Sequence, residues 1–401
     1  MRYIQYILTL LLALLLFSCK QEVSPVQAER FIKFYGDAMM DVAGDVEVLG
    51  DGGYVFCGTD SVSGEGKRAV LIVTDEYGNM KPGFPQYYSD GNNPSGANAL
   101  VVKSDGDGFL LAGFVERSIG GGSIQKDLFL VSTSGTGKEL WKRRYGSTED
   151  ESVLHATEMI SSDGFLLAGY QVKEGRKDIM VMGVEANGDS LSLGLNYNNP
   201  NADNAAATYI CNTGEQYLCV CTYDQTGVDG TKILVLNFDD GLSPTAKILG
   251  GQTDELGRCI IRDEADRYLV LGNRMNLSGH TESVVYSINI DGLLITGGSL
   301  VTDHPISEIN ADLVAKRFIK SSEGRIAMVG TRSAEGGSDI FLQFIAPDFR
   351  LADRILFGAS GAQSGADIEL PADGGLLILG TNGTKKSSMI SLIRTGDNGE
   401  L

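Results

Sequence analysis

The sequence predicts an all-β chain folded as a seven-bladed β-propeller of four-stranded antiparallel blades, closed by its N-terminal strand. Three observations predict it: a glycine-ended marker that recurs seven times, short apolar runs between Asn/Asp-Gly turns with no long helical period, and a C terminus that stops where a strand is due.

The marker is a turn followed by an apolar run ending in glycine. It is clearest as Asp51-Gly52-Gly53-Tyr54-Val55-Phe56-Cys57-Gly58, then in 107–113 and 163–169. Weaker copies occupy 216–221, where Cys221 replaces the glycine, and 267–272, 324–330 and 373–380. From Gly58 they are spaced by 55, 56, 52, 51, 58 and 50 residues. Each is preceded by an alternating strand and followed by a Val/Ile/Leu-rich run (70–74, 128–132, 179–184, 233–238, 284–290, 340–345 and 389–394). Several runs close on hairpin signals such as Asn187-Gly188, Asp240-Gly241 and Asp291-Gly292, so each unit holds four strands.

A four-stranded unit of this size cannot bury both faces alone, and stacking such units around an axis solves the problem. Unit two ends in Trp141-Lys142-Arg143-Arg144-Tyr145-Gly146, but the chain ends at Gly399-Glu400-Leu401, before its last fourth strand. Phe31-Ile32-Lys33-Phe34-Tyr35-Gly36 has the missing pattern, so the N-terminal strand is expected to complete blade seven. An open solenoid leaves that head-to-tail match unexplained.

Residues 1–18 read as a signal peptide: Arg2, then an apolar run from Tyr6 to Phe17 too short to cross a bilayer comfortably. Leu16-Phe17-Ser18-Cys19 resembles the lipobox of bacterial lipoproteins, which implies lipidation at Cys19, with 19–30 as lipidated cysteine and tether and 31–401 as propeller. Each buried lipid methylene adds about 0.8 kcal/mol of membrane affinity, so a multiply acylated cysteine would be an effectively permanent anchor. The repeat as a whole, aromatic-x-x-x-Tyr-Gly, then Asp-Gly-Gly-aromatic, apolar run and Gly, is similar to exported propeller repeats of Bacteroidota-type surface lipoproteins. That resemblance implies fold and location: outer membrane or cell surface, with a periplasm-facing orientation as the alternative. It carries no functional residue.

The chain has 52 glycines, 9 prolines and 42% hydrophobic residues, which suits a turn-rich globular protein. Its net charge is -19, and loss of 1–18 removes Arg2 alone, leaving -20. Such a surface repels phosphate backbones, so no nucleic-acid partner is expected. The expected partners are the membrane, through the lipid, and a protein, peptide or glycan ligand, for a monomer or a component of an envelope assembly.

Chemistry-bearing residues are few. Five cysteines besides Cys19 fit no zinc spacing, and His155, His280 and His304 belong to different units, leaving little material for a metal site or a triad. No catalytic residue is assigned, and a non-catalytic binding or scaffold protein is the expected function; a polysaccharide-active enzyme using channel carboxylates is the alternative.

The candidate site lies on the first strands, which line a propeller's channel. Asp45-Val46-Glu47 and Asp367-Ile368-Glu369 precede like turns in units that closure makes neighbours, and alternation puts each pair on one strand face. With Glu158 at the matching register of unit three and Arg317 beside Asp367, the set is a candidate ligand or cation site. Calcium is the cofactor it would take if any, since hard cations favour clustered carboxylate oxygens. A solvated acidic channel with an Arg317 ion pair explains the same residues. A second candidate is the loops between units, carrying Asp90, Glu149, Asp150, Asp254, Glu255 and His304.

Overall fold

A computed structural model describes residues 29–401 except 38, 65, 105, 107, 198–201, 226–229, 251–253, 296–303, 322, 359–360 and 385. The leader and Cys19 lie outside the described residues. Every regular element described is a strand, and no helix is long and apolar enough to cross a membrane.

After β1 (Phe31–Tyr35), strands β2 (Val42–Val48), β3 (Tyr54–Val62), β4 (Gly66–Thr74) and β5 (Gln86–Tyr88) form an antiparallel sheet. A second contains β6 (Ser95–Val102), β7 (Phe109–Ser118), β8 (Ile124–Thr133) and β9 (Glu139–Tyr145). Next come β10 (Glu151–Glu158), β11 (Phe165–Lys173), β12 (Arg176–Val184) and β13 (Ser190–Tyr197). One parallel bridge, Lys177 to Asn204, links them to β14 (Ala202–Asn212), β15 (Tyr217–Gln225), β16 (Thr231–Phe238) and β17 (Thr245–Leu249).

The sheet of β18 (Glu255–Glu264), β19 (Arg267–Met275), β20 (Thr281–Ile288) and β21 (His304–Ile306) stands apart. Strands β22 (Asp312–Lys320), β23 (Ile326–Ala334), β24 (Gly337–Ile345) and β25 (Leu351–Phe357) follow. A single parallel bridge, Ser338 to Ala362, joins them to β26 (Ala362–Glu369), β27 (Leu376–Gly383) and β28 (Ser388–Thr395). Beside β28 runs β1, antiparallel, with Phe31 opposite Arg394 and Tyr35 opposite Ile390. The third strands begin one to four residues before their apolar runs, because polar residues extend the ladder towards solvent.

The architecture is a β-propeller. First strands pack side by side in the order β2, β6, β10, β14, β18, β22 and β26, and β26 also lies against β2. Between consecutive sheets sits an apolar layer, for example Val55, Leu71, Leu100, Leu111 and Phe129. Tyr35, Phe56, Val70, Leu379 and Leu392 form such a layer between β27–β28 and β3–β4.

The repeat motif is explained by contacts across these layers. Tyr35 donates to Gly78 O at 2.6 Å and Tyr88 to Gly137 O at 2.5 Å, while Tyr145 donates to Gly188 O. Four residues before each tyrosine, Phe31, Phe84 and Trp141 cover the same turn glycines so closely that a Cβ there would strike the ring. The aromatic-x-x-x-Tyr pattern thus fastens the outer strand of one sheet to the next sheet's hairpin. Leu249 and Phe357 end the corresponding strands β17 and β25, where no hydroxyl is present to donate.

The marker glycines have a different cause. Gly58, Gly113, Gly169 and Gly330 face a first-strand carbonyl, of Val42, Gly96, Ser152 and Val314, too close for any side chain. That carbonyl is brought in by a bulge, which builds the channel.

Candidate functional site

Every first strand carries one extra residue at the same place. Ala43 pairs with Gly58 but Val46 with Phe56, and the shift recurs at 97/99, 153/155, 207/209, 257/259, 315/317 and 365/367. A bulge re-aims side chains and disrupts the ladder locally. The extra residues are Gly44, Asn98, Leu154, Thr208, Arg258, Lys316 and Ala366, and all of them line one cavity of about 400 Å³. This cavity is a mouth of the channel.

The next residues form a second layer: Asp45, Ala99, His155, Tyr209, Cys259, Arg317 and Asp367. Asp45, His155 and Asp367 cap amides of the following sheet, two residues past its bulge position. Asp367 Oδ2 accepts from Val46 N at 3.1 Å, Asp45 Oδ2 from Leu100 N at 2.9 Å, and His155 Nδ1 from Ile210 N at 3.4 Å. A buried amide needs an acceptor, so these residues are staples between sheets. Asp367 Oδ1 also accepts from Ile368 N at 2.9 Å and lies 3.6 Å from Arg317 Nε.

Burial sets the protonation of this layer. Asp367 is raised well above the ordinary carboxylate range by desolvation and by Asp45, which lies within hydrogen-bonding reach. Desolvation and Arg317 bring His155 down to about 3, leaving it neutral, with its ring 3.8 Å from that of Tyr209 and tilted by 33° to it. On the same tyrosine rests Arg317, 4.7 Å from the ring centre.

Glu47 and Glu369, two residues further along the same strands, are half-buried. Desolvation and neighbouring acids raise Glu47 to about 9 and Glu369 to about 7. The structure therefore brings Asp45, Glu47, Asp367, Glu369 and Arg317 together. Asp45 Oδ2 and both oxygens of Asp367 already accept amide hydrogens, for which a calcium ion would have to compete.

Glu158 does not join them. It pairs with Phe165, one residue past the slot of Glu47, which Thr157 occupies, and it accepts from Ser104 N at 2.8 Å. Counting back from the marker produced the wrong partner because the β10–β11 turn is one residue longer than those after β2 and β26. The loop acids are also structural: Asp90 pairs with Arg144 at 2.7 Å, Asp150 accepts from Lys126 N at 2.9 Å, Asp254 from Thr231 N at 2.7 Å, and Glu255 is fully buried against Tyr286. The side chain of His304 is outside the described residues. Cys57, Cys211, Cys219, Cys221 and Cys259 are free thiols, with the sulfurs of Cys219 and Cys221 3.8 Å apart.

Sequence reading missed Arg258, Lys316 and Tyr209. Counting back 13 to 15 residues from each marker finds the whole mouth layer, but nothing in one repeat says that this position faces the axis.

No family model and no curated protein matches the chain. Among solved structures it is similar to a protein of unknown function from Dyadobacter fermentans, at 11% identity and TM-score 0.49, over 90% of this chain and 98% of that one. It is also similar to the β-propeller domain of the trilobed protease from Pyrococcus furiosus, at 10% identity and TM-score 0.48, over 88% and 95%. A Penicillium chrysogenum α-L-arabinanase matches at 12% identity and TM-score 0.45, over 74% and 92%. A puromycin-hydrolyzing peptidase, a sialidase and prolyl endopeptidases match at comparable identity. The expectation of a non-catalytic protein is corrected by these neighbours: several are named as hydrolases, so this architecture does not mark a chain as inactive.

Proposed function

We propose that this chain is a lipid-anchored envelope protein whose seven blades are closed by β1 and whose channel mouth binds a small ligand. The anchor rests on the 1–18 leader and Cys19, and the location on the resemblance of the repeat to surface lipoproteins. Closure is supported by the β1–β28 ladder, the Tyr35 hydroxyl on Gly78 and the apolar layer between the last and first sheets.

The observation that carries the binding reading is the mouth itself. All the bulge residues converge on one cavity, whose volume of about 400 Å³ is within the ~300–1,000 Å³ typical of small-molecule sites. The test is a thermal-shift screen of organic acids, sugars and short peptides on the full-length protein in detergent, with Leu154→Trp as a plug. Ligands that raise the melting temperature of the wild type and not of the plugged variant support the reading; protection indifferent to the plug refutes it. Mass spectrometry of the same mixtures reads any turnover. Palmitate labelling lost in Cys19→Ala tests the anchor.

A further inference from the structure

Resting on the reading that the mouth binds a ligand, we infer that its ligand carries an oxyanion, carboxylate or phosphate, held by Arg258, Lys316 and Arg317. The chain carries 52 acidic against 33 basic residues, so a cation has acids to choose from. Most arginines have found one: Arg68 pairs with Asp60, Arg117 with Asp127, Arg274 with Glu282, Arg332 with Glu308. Arg258 and Lys316 have no ion-pair partner among the described residues, and they stand at the same bulge position of consecutive first strands.

Arg258 is the sharpest sign. Its Nε is buried and meets no acceptor. Such a donor pays desolvation without return, and an oxyanion at the mouth supplies the missing acceptor in the bidentate geometry that guanidinium favours. The three cations also repel one another. Loss of water and the charges of Arg258 and Arg317 bring Lys316 down to about 8, and loss of water and Arg317 lower Arg258. Of the three, Arg317 alone has acids beside it, Asp367 at 3.6 Å and Asp45, which favour its charge, so the unpartnered cations of the mouth are Arg258 and Lys316. Thr381 and Ser364 add hydroxyls to the same lining, while Gly44 and Ala366 leave room for the remainder of the ligand.

The experiment is isothermal titration at constant ionic strength with citrate, inorganic phosphate and neutral arabinose, on wild type, Arg258→Met, Lys316→Met and the distant control Lys138→Met. Citrate or phosphate should bind the wild type and Lys138→Met alike, and each mouth variant should lose at least tenfold; the preferred probe separates carboxylate from phosphate. Affinity should fall from pH 7 to 9 as Lys316 loses its proton, and Lys316→Met should remove that part. The charged groups acting on Lys316 are Arg258 and Arg317, and about Arg317 stand Asp367, Asp45 and neutral His155; Glu369 and Glu47 come two residues after the aspartates on their strands, and the pH dependence that persists in Lys316→Met belongs to them.

A second reading guards against misfolding. Citrate should raise the melting temperature of the wild type but not of the Arg258→Met/Lys316→Met double variant, whose own melting should be no lower. Oxyanions that do not bind, or that bind and protect all variants equally, overturn the inference. If arabinose alone binds and Leu154→Trp abolishes it, the mouth is a ligand site of neutral chemistry: this inference falls and the proposed function stands. If no ligand responds to the plug, both fall.

Discussion

Replacing Tyr35 by Phe removes one oxygen and leaves the ring. That oxygen is buried and donates at 2.6 Å to Gly78 O, across the layer between the last and first sheets; Tyr88 makes the same bond to Gly137 O between the first and second. The net worth of such a bond is about 0.5–1.5 kcal/mol, and a carbonyl left dry costs about 1–3 kcal/mol, so each substitution should cost about 1–3 kcal/mol of folding free energy. Burial holds both phenols protonated far above the ordinary tyrosine value, so the bond persists across the working pH range. The assay is urea unfolding followed by circular dichroism and by the fluorescence of the single tryptophan, Trp141, whose indole donates to Ala186 O at 2.8 Å across the second and third sheets. If β1 is an integral strand, Tyr35→Phe and Tyr88→Phe lower the midpoint by similar amounts, with both probes coincident. A neutral Tyr35→Phe beside a costly Tyr88→Phe would refute the reasoning, because β1 would then not be held against the first sheet in solution.

Gly113→Ala should destabilise by about 1–3 kcal/mol, since its Cβ would enter the Gly96 carbonyl and the bulge would have to shift; chemical denaturation measures it. Arg317→Met leaves the Asp45–Asp367 pair without its cation, and breaking a buried pair from one side costs about 3–5 kcal/mol, read in the same way. Glu369 at about 7 and Glu47 at about 9 lie above their ordinary 4.5, so the folded state keeps protons that the unfolded chain releases. Their contribution is complete below about pH 4.5 and is lost as pH rises through 7 and then 9. Melting temperature should therefore fall from pH 5 to pH 9, and Glu47→Gln/Glu369→Gln should flatten the decline; an unchanged slope in that variant rejects the assignment.

What the sequence determined by itself is whatever repeats locally. Strand runs, Asp-Gly turns and marker glycines were legible because alternation, turn chemistry and close backbone approach act within a few residues, and seven copies made each visible. The Phe31 to Gly36 match at the N terminus was legible for the same reason. So was the pairing of Asp45 with Asp367, which stand at the same register of like repeats, although the purpose of these acids was not. They cap amides of the next strand, a need that exists only once a bulge has broken the ladder and another sheet stands alongside.

Tertiary structure alone decided the channel. A β10–β11 turn one residue longer than the β2–β3 and β26–β27 turns moved Glu158 out of the acid layer and put Thr157 in its place. The one added residue of each first-strand bulge turned Arg258 and Lys316, ordinary polar positions in any single repeat, into neighbours at one mouth without carboxylate partners among the described residues. Which side chains share an axis depends on register and on the angular placement of strands far apart in the chain. Those are set by packing between sheets, and a periodic pattern read along one strand does not contain them.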